Sequence, residues 1–507
     1  VNFAAITERG RAGDGAALAA GALLPLAFAP LDLFPLAWLA PALLLLTVFD
    51  AEPPLALRRG LLFGLGLFGV GVSWVYVAIH DFGNSGVPVA VLLTAIFVSV
   101  LALFPMAAAW SLARVRARVT GAAAGLLLFF PALWVGFEWL RGWIFTGFPW
   151  LTIGYSQIDT PLAGFAPLFG VYFLSWVTVY TAAVLAGWLL LPRRTAVMAT
   201  VAAVALWGAA AGLRVVEWTE PDGAPLRVSL IQGNQSQDLK WDPVGMWQRL
   251  QAYADLNASR LGKTDLVVWP ENAVTMFYQD LAQDYFLPIQ QQARASGTDV
   301  LLGVPLLDED GVHYYTTMMS LGSSHAFYKK SHLVPFGEFI PLEGALRGVI
   351  GFFSLPMSAF SPGPAYQPPL AVAGRKAAVS VCYEDVFGDE VIHALPAANL
   401  LVNGSNNAWY GDSFAPHQHL QMSRLRAVET GRPLLRATTN GISALVDAHG
   451  KVIARSPQFE KFILDGSVQP MKGATPYVRW GNMPVVSALL AIGFIGWGAS
   501  VRRRRGA

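Results

Sequence analysis

Eight stretches of the chain are apolar enough to consider as membrane helices: 15–30, 33–49, 60–80, 87–112, 121–144, 163–190, 195–215 and 482–501. A spanning helix needs about 20 mostly apolar residues. The first two stretches are short and divided by Pro30 and Asp32, so their limits are the least defined. One apolar stretch follows another with no polar domain between them, which argues against a cleaved signal. Between 220 and 480 the pattern changes. Short apolar runs of strand length alternate there with segments of helical period, as in a layered α/β domain. Strands are predicted near 226–232, 265–269, 299–305, 313–321, 325–330, 376–382, 399–403, 433–438 and 442–447. The longest helix is predicted over 414–430, with Leu420, Met422, Leu425 and Val428 among its apolar positions and Gly431 and Pro433 ending it. The chain is expected to divide into a membrane bundle over 1–216, a polar domain over 220–480, an eighth span over 482–501 and a basic tail over 502–507.

Charge then orients the bundle. Arg9 and Arg11, Arg58 and Arg59, Arg114 to Arg118, Arg193 and Arg194, and Arg502 to Arg505 fall in every second connection or tail. Positive charge stays on the cytoplasmic side, so both termini are expected inside and the polar domain outside. Only 13% of residues are charged and 54% are hydrophobic, well away from soluble domains at roughly 25% charged. The net charge of +2, without a basic patch interleaved with aromatics, gives no reason to expect nucleic acid. Gly64-Leu65-Gly66-Leu67-Phe68-Gly69 has the spacing of a dinucleotide-binding loop, but it lies within a span with no strand before it. Helix packing through Gly60 and Gly64 is the expected role. Glu138 and Arg141, three residues apart near the outer end of the fifth span, read either as an interfacial ion pair or as a headgroup anchor. Trp150, in Gly147-Phe148-Pro149-Trp150, is expected in an outer aromatic belt.

Three strand ends carry candidate chemistry. Cys382, the single cysteine, ends the apolar run 377–382. Glu271 follows Trp269-Pro270, and Lys329 and Lys330 follow Tyr328. A carboxylate, an amine and a thiol can activate a sulfur nucleophile and hold an oxyanion. Taken alone, each has a plainer role: a small core residue, a turn residue and a solvated amine. His417 and His419 lack the spacing of a zinc helix, and no metal is expected.

Taken together, Trp-Pro-Glu-Asn at 269–272, Tyr-x-Lys-x-His-Leu at 328–333 and Cys-Tyr-Glu at 382–384 resemble the Glu-Lys-Cys triad of the nitrilase superfamily. With spans on both sides, the chain resembles the bacterial apolipoprotein N-acyltransferase family. Further family motifs stand at Gln232-Gly233-Asn234 with Lys240-Trp241, at 334–338, at Asn406-Asn407-Ala408-Trp409, and at 147–150. The resemblance implies a polytopic α-helical bundle of about eight spans joined to an α/β nitrilase-like αββα sandwich. It implies that Glu271 is the general base, Cys382 the nucleophile, and Lys330, two after the tyrosine, the oxyanion-stabilising amine. Alternation along a strand lets only one of Lys329 and Lys330 face the thiol. Glu338, Tyr383 and Glu384 would support the triad, Tyr383 through its backbone N–H. Trp241, Asn406, Trp409, Phe352, Phe353 and Trp150 would serve substrate and lipid access. Thr316 departs from the family's usual asparagine, which puts in doubt a polar bridge from that position.

The resemblance also implies a reaction. A phospholipid would donate an acyl chain, through a Cys382 thioester, to the N-terminal amine of a diacylglyceryl-cysteine apolipoprotein. No cofactor would be needed, and a monomer in the bacterial inner membrane is expected. Segment 347–361, with Phe352, Phe353, Leu355, Met357 and Phe360, reads either as part of the core or, the favoured expectation, as an arm that dips into the interface. The rival expectation is a membrane-tethered amidase or nitrilase-type hydrolase using the same triad. A transporter or scaffold with an inactive outer domain is disfavoured, because all three triad positions are intact.

Overall fold

A computed structural model describes residues 10–83, 85–116, 121–240, 242–339 and 360–505. The chain forms two compact units, one of residues 1–79, 85–216 and 480–507, the other of residues 80–84 and 217–479.

In the first unit the apolar stretches become helices α1 (Arg11–Leu23), α2 (Leu36–Val48), α3 (Pro53–Gly71), α4 (Val87–Arg116), α5 (Ala122–Arg141), α6 (Pro161–Leu190) and α7 (Arg193–Leu213). A last helix covers Met483–Arg505. Among the described residues five, α3 to α7, are long and apolar enough to cross a membrane. Each of the eight predicted segments contains a helix, but α1 and α2 have only 13 residues each. Pro25 lies in the tighter turn Leu24–Ala27 that follows α1. Such a helix rises about 20 Å, short of a hydrocarbon core about 30 Å thick.

The glycines of the 60–69 segment pack helices. A Cβ at Gly64 would lie 2.7 Å from Ala102 Cα of α4, and one at Gly60 would lie 2.7 Å from Ala109 Cβ. No other residue lets the two backbones approach this closely. Glu138 and Arg141 are both buried. Arg141 donates to the carbonyls of Phe148 and Trp150 and to Thr152 Oγ1, while Glu138 Oε1 accepts from Trp134 Nε1 (3.0 Å) and the Ile153 N–H (2.9 Å). Arg141 and Glu138 Oε1 are directed at the 148–153 loop, which favours a structural role over a headgroup anchor. Trp150 is 1% exposed and packs on Trp74 and Phe148. It is therefore not a surface belt residue; Trp143 and Phe145 are the exposed aromatics of this loop.

The second unit contains two six-stranded sheets. One has the order β13-β2-β3-β4-β5-β6, from β2 (Leu226–Gln232), β3 (Leu266–Val268), β4 (Asp299–Leu307), β5 (Tyr314–Leu321), β6 (Ala326–Lys329) and β13 (Phe462–Val468). The other has the order β12-β11-β10-β9-β8-β7, from β7 (Leu370–Val372), β8 (Arg375–Val381), β9 (Leu400–Ser405), β10 (Leu434–Thr438), β11 (Ala444–Val446) and β12 (Val452–Arg455). In each sheet three central strands run parallel, β2-β3-β4 and β8-β9-β10, and antiparallel strands complete it. A separate pair joins β1 (Thr219–Pro221) to β14 (Met471–Gly473).

Strand alternation sets the layers. Val228, Leu230, Val268 and Leu301 face Val379, Val381, Val402 and Leu435 in one core between the sheets. The alternate residues Ile231, Val267, Val300 and Leu302 pack under helices α8 (Met246–Ala258) and α9 (Leu287–Ser296). On the far side Ala378, Leu401 and Leu434 meet Leu420 and Ala427 of α10 (Ala415–Thr430). The result is a helix–sheet–sheet–helix sandwich. Helix α10 ends at Gly431 in the left-handed region (φ 62°), the conformation a C-terminal glycine supplies. It is not the amphipathic helix its pattern suggests, because His419, Arg426 and Glu429 are buried as well.

Packing of α3 on α4 is open to direct test. Gly64→Val should destabilise the purified protein by about 1–3 kcal/mol, the usual cost of overpacking. Gly69→Ala, with nothing within 4 Å of its added carbon, should change the thermal midpoint little.

Candidate active site

The parallel strands deliver their chemistry at their carboxyl ends, where open sheets bind ligands. Glu271 lies in the turn after β3, and Gly303 of β4 lets that turn settle on the sheet. A Cβ at Gly303 would sit 2.3 Å from Pro270 O and 2.8 Å from Glu271 Cα. Lys330 directly follows β6, held by its N–H to Thr316 O (2.8 Å). Cys382 directly follows β8.

Lys330 is 1% exposed, and its Nζ lies 3.2 Å from Glu271 Oε1 and 2.8 Å from Glu338 Oε1. Lys329 points the other way, to Asp308 (3.6 Å) and over the Tyr315 ring. Burial opposes charge on Lys330, but Glu271 and Glu338 outweigh it and hold its pKa well above the ordinary lysine value. It stays an ammonium at neutral pH. Glu271 Oε2 accepts from the Asn406 N–H (2.9 Å), and Glu338 Oε2 accepts from the Val334 N–H (2.8 Å). Each carboxylate is thus fixed at both oxygens.

Cys382 sits on a sharp elbow with φ 50°, in the left-handed region that residues with a Cβ seldom occupy. Three contacts hold it there. Glu384 Oε2 accepts the Val381 N–H (2.7 Å), Asn403 Nδ2 donates to Cys382 O (3.2 Å), and the Ser405 side chain hydrogen-bonds the thiol. Burial pushes the thiol pKa up to about 12, and Glu271 adds to this while Lys330 opposes it. The resting sulfur is therefore a thiol that needs a base. Glu384 also accepts from Ser331 N (2.7 Å), Ser331 Oγ, His332 N and the Tyr328 hydroxyl, so one carboxylate ties the lysine segment to the cysteine elbow. Burial raises the pKa of Glu384 and of Glu338.

Beneath the elbow lies a polar network that sequence reasoning missed. Arg436, fully buried on β10, donates to Asp385 Oδ2 (2.8 Å), Asn403 Oδ1 (2.7 Å) and Asn407 Oδ1 (3.2 Å). Asp385 also meets His419 Nε2 (2.7 Å) and accepts from Ser423 Oγ. Burial favours a neutral Asp385, but His419 and Arg436 outweigh it and leave its pKa below the usual aspartate value. Burial depresses His419, which is neutral at pH 7. Tyr410 is a second omission: it interacts with Cys382, Lys330, Glu271 and Glu338, and burial raises its pKa. Only the distant partners Asp385, Asn407 and Arg436 reveal why His419 is buried, and no local pattern carries that signal.

The remaining candidates fall in different places. Asn406 is buried, fixes Glu271 through its N–H, and donates to Gln237 Oε1 (2.8 Å) through its side chain. Trp409 is half-buried, with its ring 6.4 Å from that of Phe82. The Tyr383 ring packs on Phe387 and His332. Thr316 is fully buried, and its hydroxyl has no partner among the described residues, so its link to Lys330 is through its backbone alone. Phe360 is buried against Tyr314, and its N–H meets Glu338 O (3.1 Å). Trp241, Phe352 and Phe353 lie outside the described residues, as does most of the 347–361 segment.

Two family models match: the apolipoprotein N-acyltransferase N-terminal domain over residues 20–184 and carbon-nitrogen hydrolase over residues 227–477. Apolipoprotein N-acyltransferase of Methylococcus capsulatus is 45% identical over 97% of this chain and 96% of its own length. That of Azotobacter vinelandii is 45% identical over 98% and 97%. The chain belongs to the apolipoprotein N-acyltransferase family. It is an acyltransferase with a nitrilase-like domain. A solved carbon-nitrogen hydrolase from Helicobacter pylori G27 matches at 18% identity and TM-score 0.37, over 48% of this chain and 89% of that one.

Arg436→Met should show what the buried network contributes. Left without its cation, Asp385 should cost about 3–5 kcal/mol of stability. Asp385→Asn combined with Arg436→Met should recover part of it, as coupled partners do; denaturant titration of the single and double variants measures both.

Proposed function

We propose that this acyltransferase moves an acyl chain from a membrane phospholipid to the α-amine of a diacylglyceryl-cysteine apolipoprotein, by ping-pong through a thioester on Cys382. The observation that carries the reading is the buried Lys330 ammonium shared by Glu271 and Glu338 beside the Cys382 elbow. The names of relatives support the substrate class, and the geometry supports the route.

Glu271 takes the thiol proton as sulfur attacks the ester carbonyl, since so basic a thiol is scarcely ionised beforehand. Lys330 has one N–H left after its two carboxylates. With the Tyr383 backbone N–H it holds the oxyanion, each donor contributing about 3 kcal/mol. Collapse of the intermediate breaks the ester C–O bond, Glu271 returns its proton to the departing alkoxide, and lyso-lipid leaves. An incoming amine then attacks the thioester and gives up a proton to Glu271. Sulfur departs with that proton, and an amide forms. Resonance stabilises an amide more than a thioester, so the second half-reaction runs forward without ATP.

Glu338 and Glu384 position the lysine and the elbow, and Trp241, Trp409, Trp150, Phe352 and Phe353 belong to the proposal only as contributors to lipid access; Trp150, being buried, would act through packing. The arginine pattern supports both termini on the cytoplasmic side of the bacterial inner membrane and the sandwich on the periplasmic side. The enzyme would act there as a monomer without cofactor or metal.

Product analysis tests the reading. Phospholipid with an acceptor lipopeptide should give lyso-lipid and N-acylated peptide; an enzyme that instead releases free acid from amides or nitriles is the hydrolase. Phospholipid alone should release a burst of about one lyso-lipid per enzyme, as covalent catalysis requires. Lys330→Ala should slow turnover by about 100-fold or more, whereas Lys329→Ala should keep most of it. Equal losses would contradict a single inward lysine.

A further inference from the structure

His332 lies two residues beyond Lys330, and both its backbone and its ring touch the segment that carries Cys382. Its N–H donates to Glu384 Oε1 (3.1 Å). Its ring places Nδ1 2.7 Å from Glu390 Oε1 and stacks on Phe387, with centroids 3.9 Å apart and planes at 16°. The same ring meets Tyr383 at 5.7 Å, and Tyr383 meets Phe387 at 5.0 Å, so the three rings close a triangle. Glu390 is fixed relative to the elbow. The Phe387 N–H donates to Glu384 O (3.1 Å) and the Glu390 N–H to Phe387 O (3.0 Å), which leads into the short helix Gly388–Val391. An Nδ1–H donates from a neutral or a charged imidazole, so the contact needs no net charge. Among the described residues Glu390 is the polar partner found for the ring, whose Nε2 is buried without one.

The two oxyanion donors stand on opposite sides of this joint. Lys330 comes from the end of β6 and the Tyr383 N–H from the elbow, yet both must reach one oxygen. Tyr328, Ser331 and His332 all bond Glu384, but those bonds converge on a single carboxylate, about which the lysine segment could pivot. The His332 ring supplies a second point of attachment. We propose that His332 is a positioning residue for the oxyanion donors: wedged on Tyr383 and Phe387 and held to Glu390, it fixes the orientation of the Lys330 segment against the elbow that presents the Tyr383 N–H. The inference rests on the reading of Lys330 and Tyr383 as those donors but not on the identity of the acyl donor. Misplacing a reacting group by about 1 Å can cost about 100-fold in rate, comparable to losing an oxyanion donor outright.

Two reagents that modify the same sulfur separate positioning from folding. p-Nitrophenyl butyrate acylates Cys382 through a tetrahedral oxyanion and releases p-nitrophenolate. Iodoacetamide alkylates it by direct displacement of iodide and forms no oxyanion. Both are followed in the full chain, acylation by the nitrophenolate burst and alkylation by intact mass, with Cys382→Ser as the blank. His332→Ala should slow acylation about 100-fold while alkylation stays within about twofold of wild type. Glu390→Ala should slow acylation about tenfold, the worth of a hydrogen bond to a charged group. Glu390→Gln keeps an oxygen that accepts from Nδ1 and should recover most of that loss. Equal slowing of both reactions in His332→Ala, or acylation at the wild-type rate, would overturn the proposal. If His332→Ala does not fold, the Glu390 pair decides: acylation as fast in Glu390→Ala as in Glu390→Gln overturns it. Lys330→Ala tests the reading beneath. A fast burst there would sink the oxyanion assignment itself, whereas a slow Lys330→Ala beside a fast His332→Ala would overturn only the role of His332.

Discussion

Sharing one buried ammonium between two buried carboxylates is the constraint on which the site depends. Lys330 keeps its charge at 1% exposure because Glu271 at 3.2 Å and Glu338 at 2.8 Å outweigh the cost of burying it. Each partner needs a separate anchor. Glu271 comes from a turn seated on Gly303, Lys330 from the end of β6, and Glu338 from a loop closed by the Val334 N–H. The two sheets are arranged so that these ends meet the β8 elbow. The favourable packing of the inter-sheet core holds together charges that would otherwise separate into water.

The second consequence concerns the nucleophile. A thiol pushed up to about 12 by burial cannot be a standing thiolate, so the chemistry needs a base in place when the substrate arrives. The left-handed elbow stores strain at that residue, and Glu384, Asn403 and the Arg436 network hold it there. Unlike a surface ion pair, this network is buried, so it fixes geometry at the expense of tolerance to substitution.

Much of this was legible in the sequence. Alternation and flanking residues located the strands leading to Glu271, Lys330 and Cys382: β3 is buried, β8 mostly buried and β6 half-buried, and each is a β-rich run that leads into a polar residue. β13 escaped notice because Asp465-Gly466 within it reads as a turn, although pairing with β2 carries the strand straight through. Helix α10 was located but misjudged, since its buried polar face is satisfied by partners from elsewhere in the chain. Lys240 and Asn406 belong to the site for the same reason: long-range contacts, not local pattern, bring them to Glu271. In the membrane unit hydropathy located the long helices but overstated the lengths of the first two, which are 13 residues each.

The central claim is that Cys382 carries the acyl group between donor and acceptor. Intact-mass analysis of the purified chain after incubation with a phospholipid of defined acyl composition, and no acceptor, tests it most directly. The account predicts a gain of one acyl mass that hydroxylamine removes and that Cys382→Ser lacks. Lyso-lipid formed only when the acceptor is also present, with no adduct at any time, would contradict it.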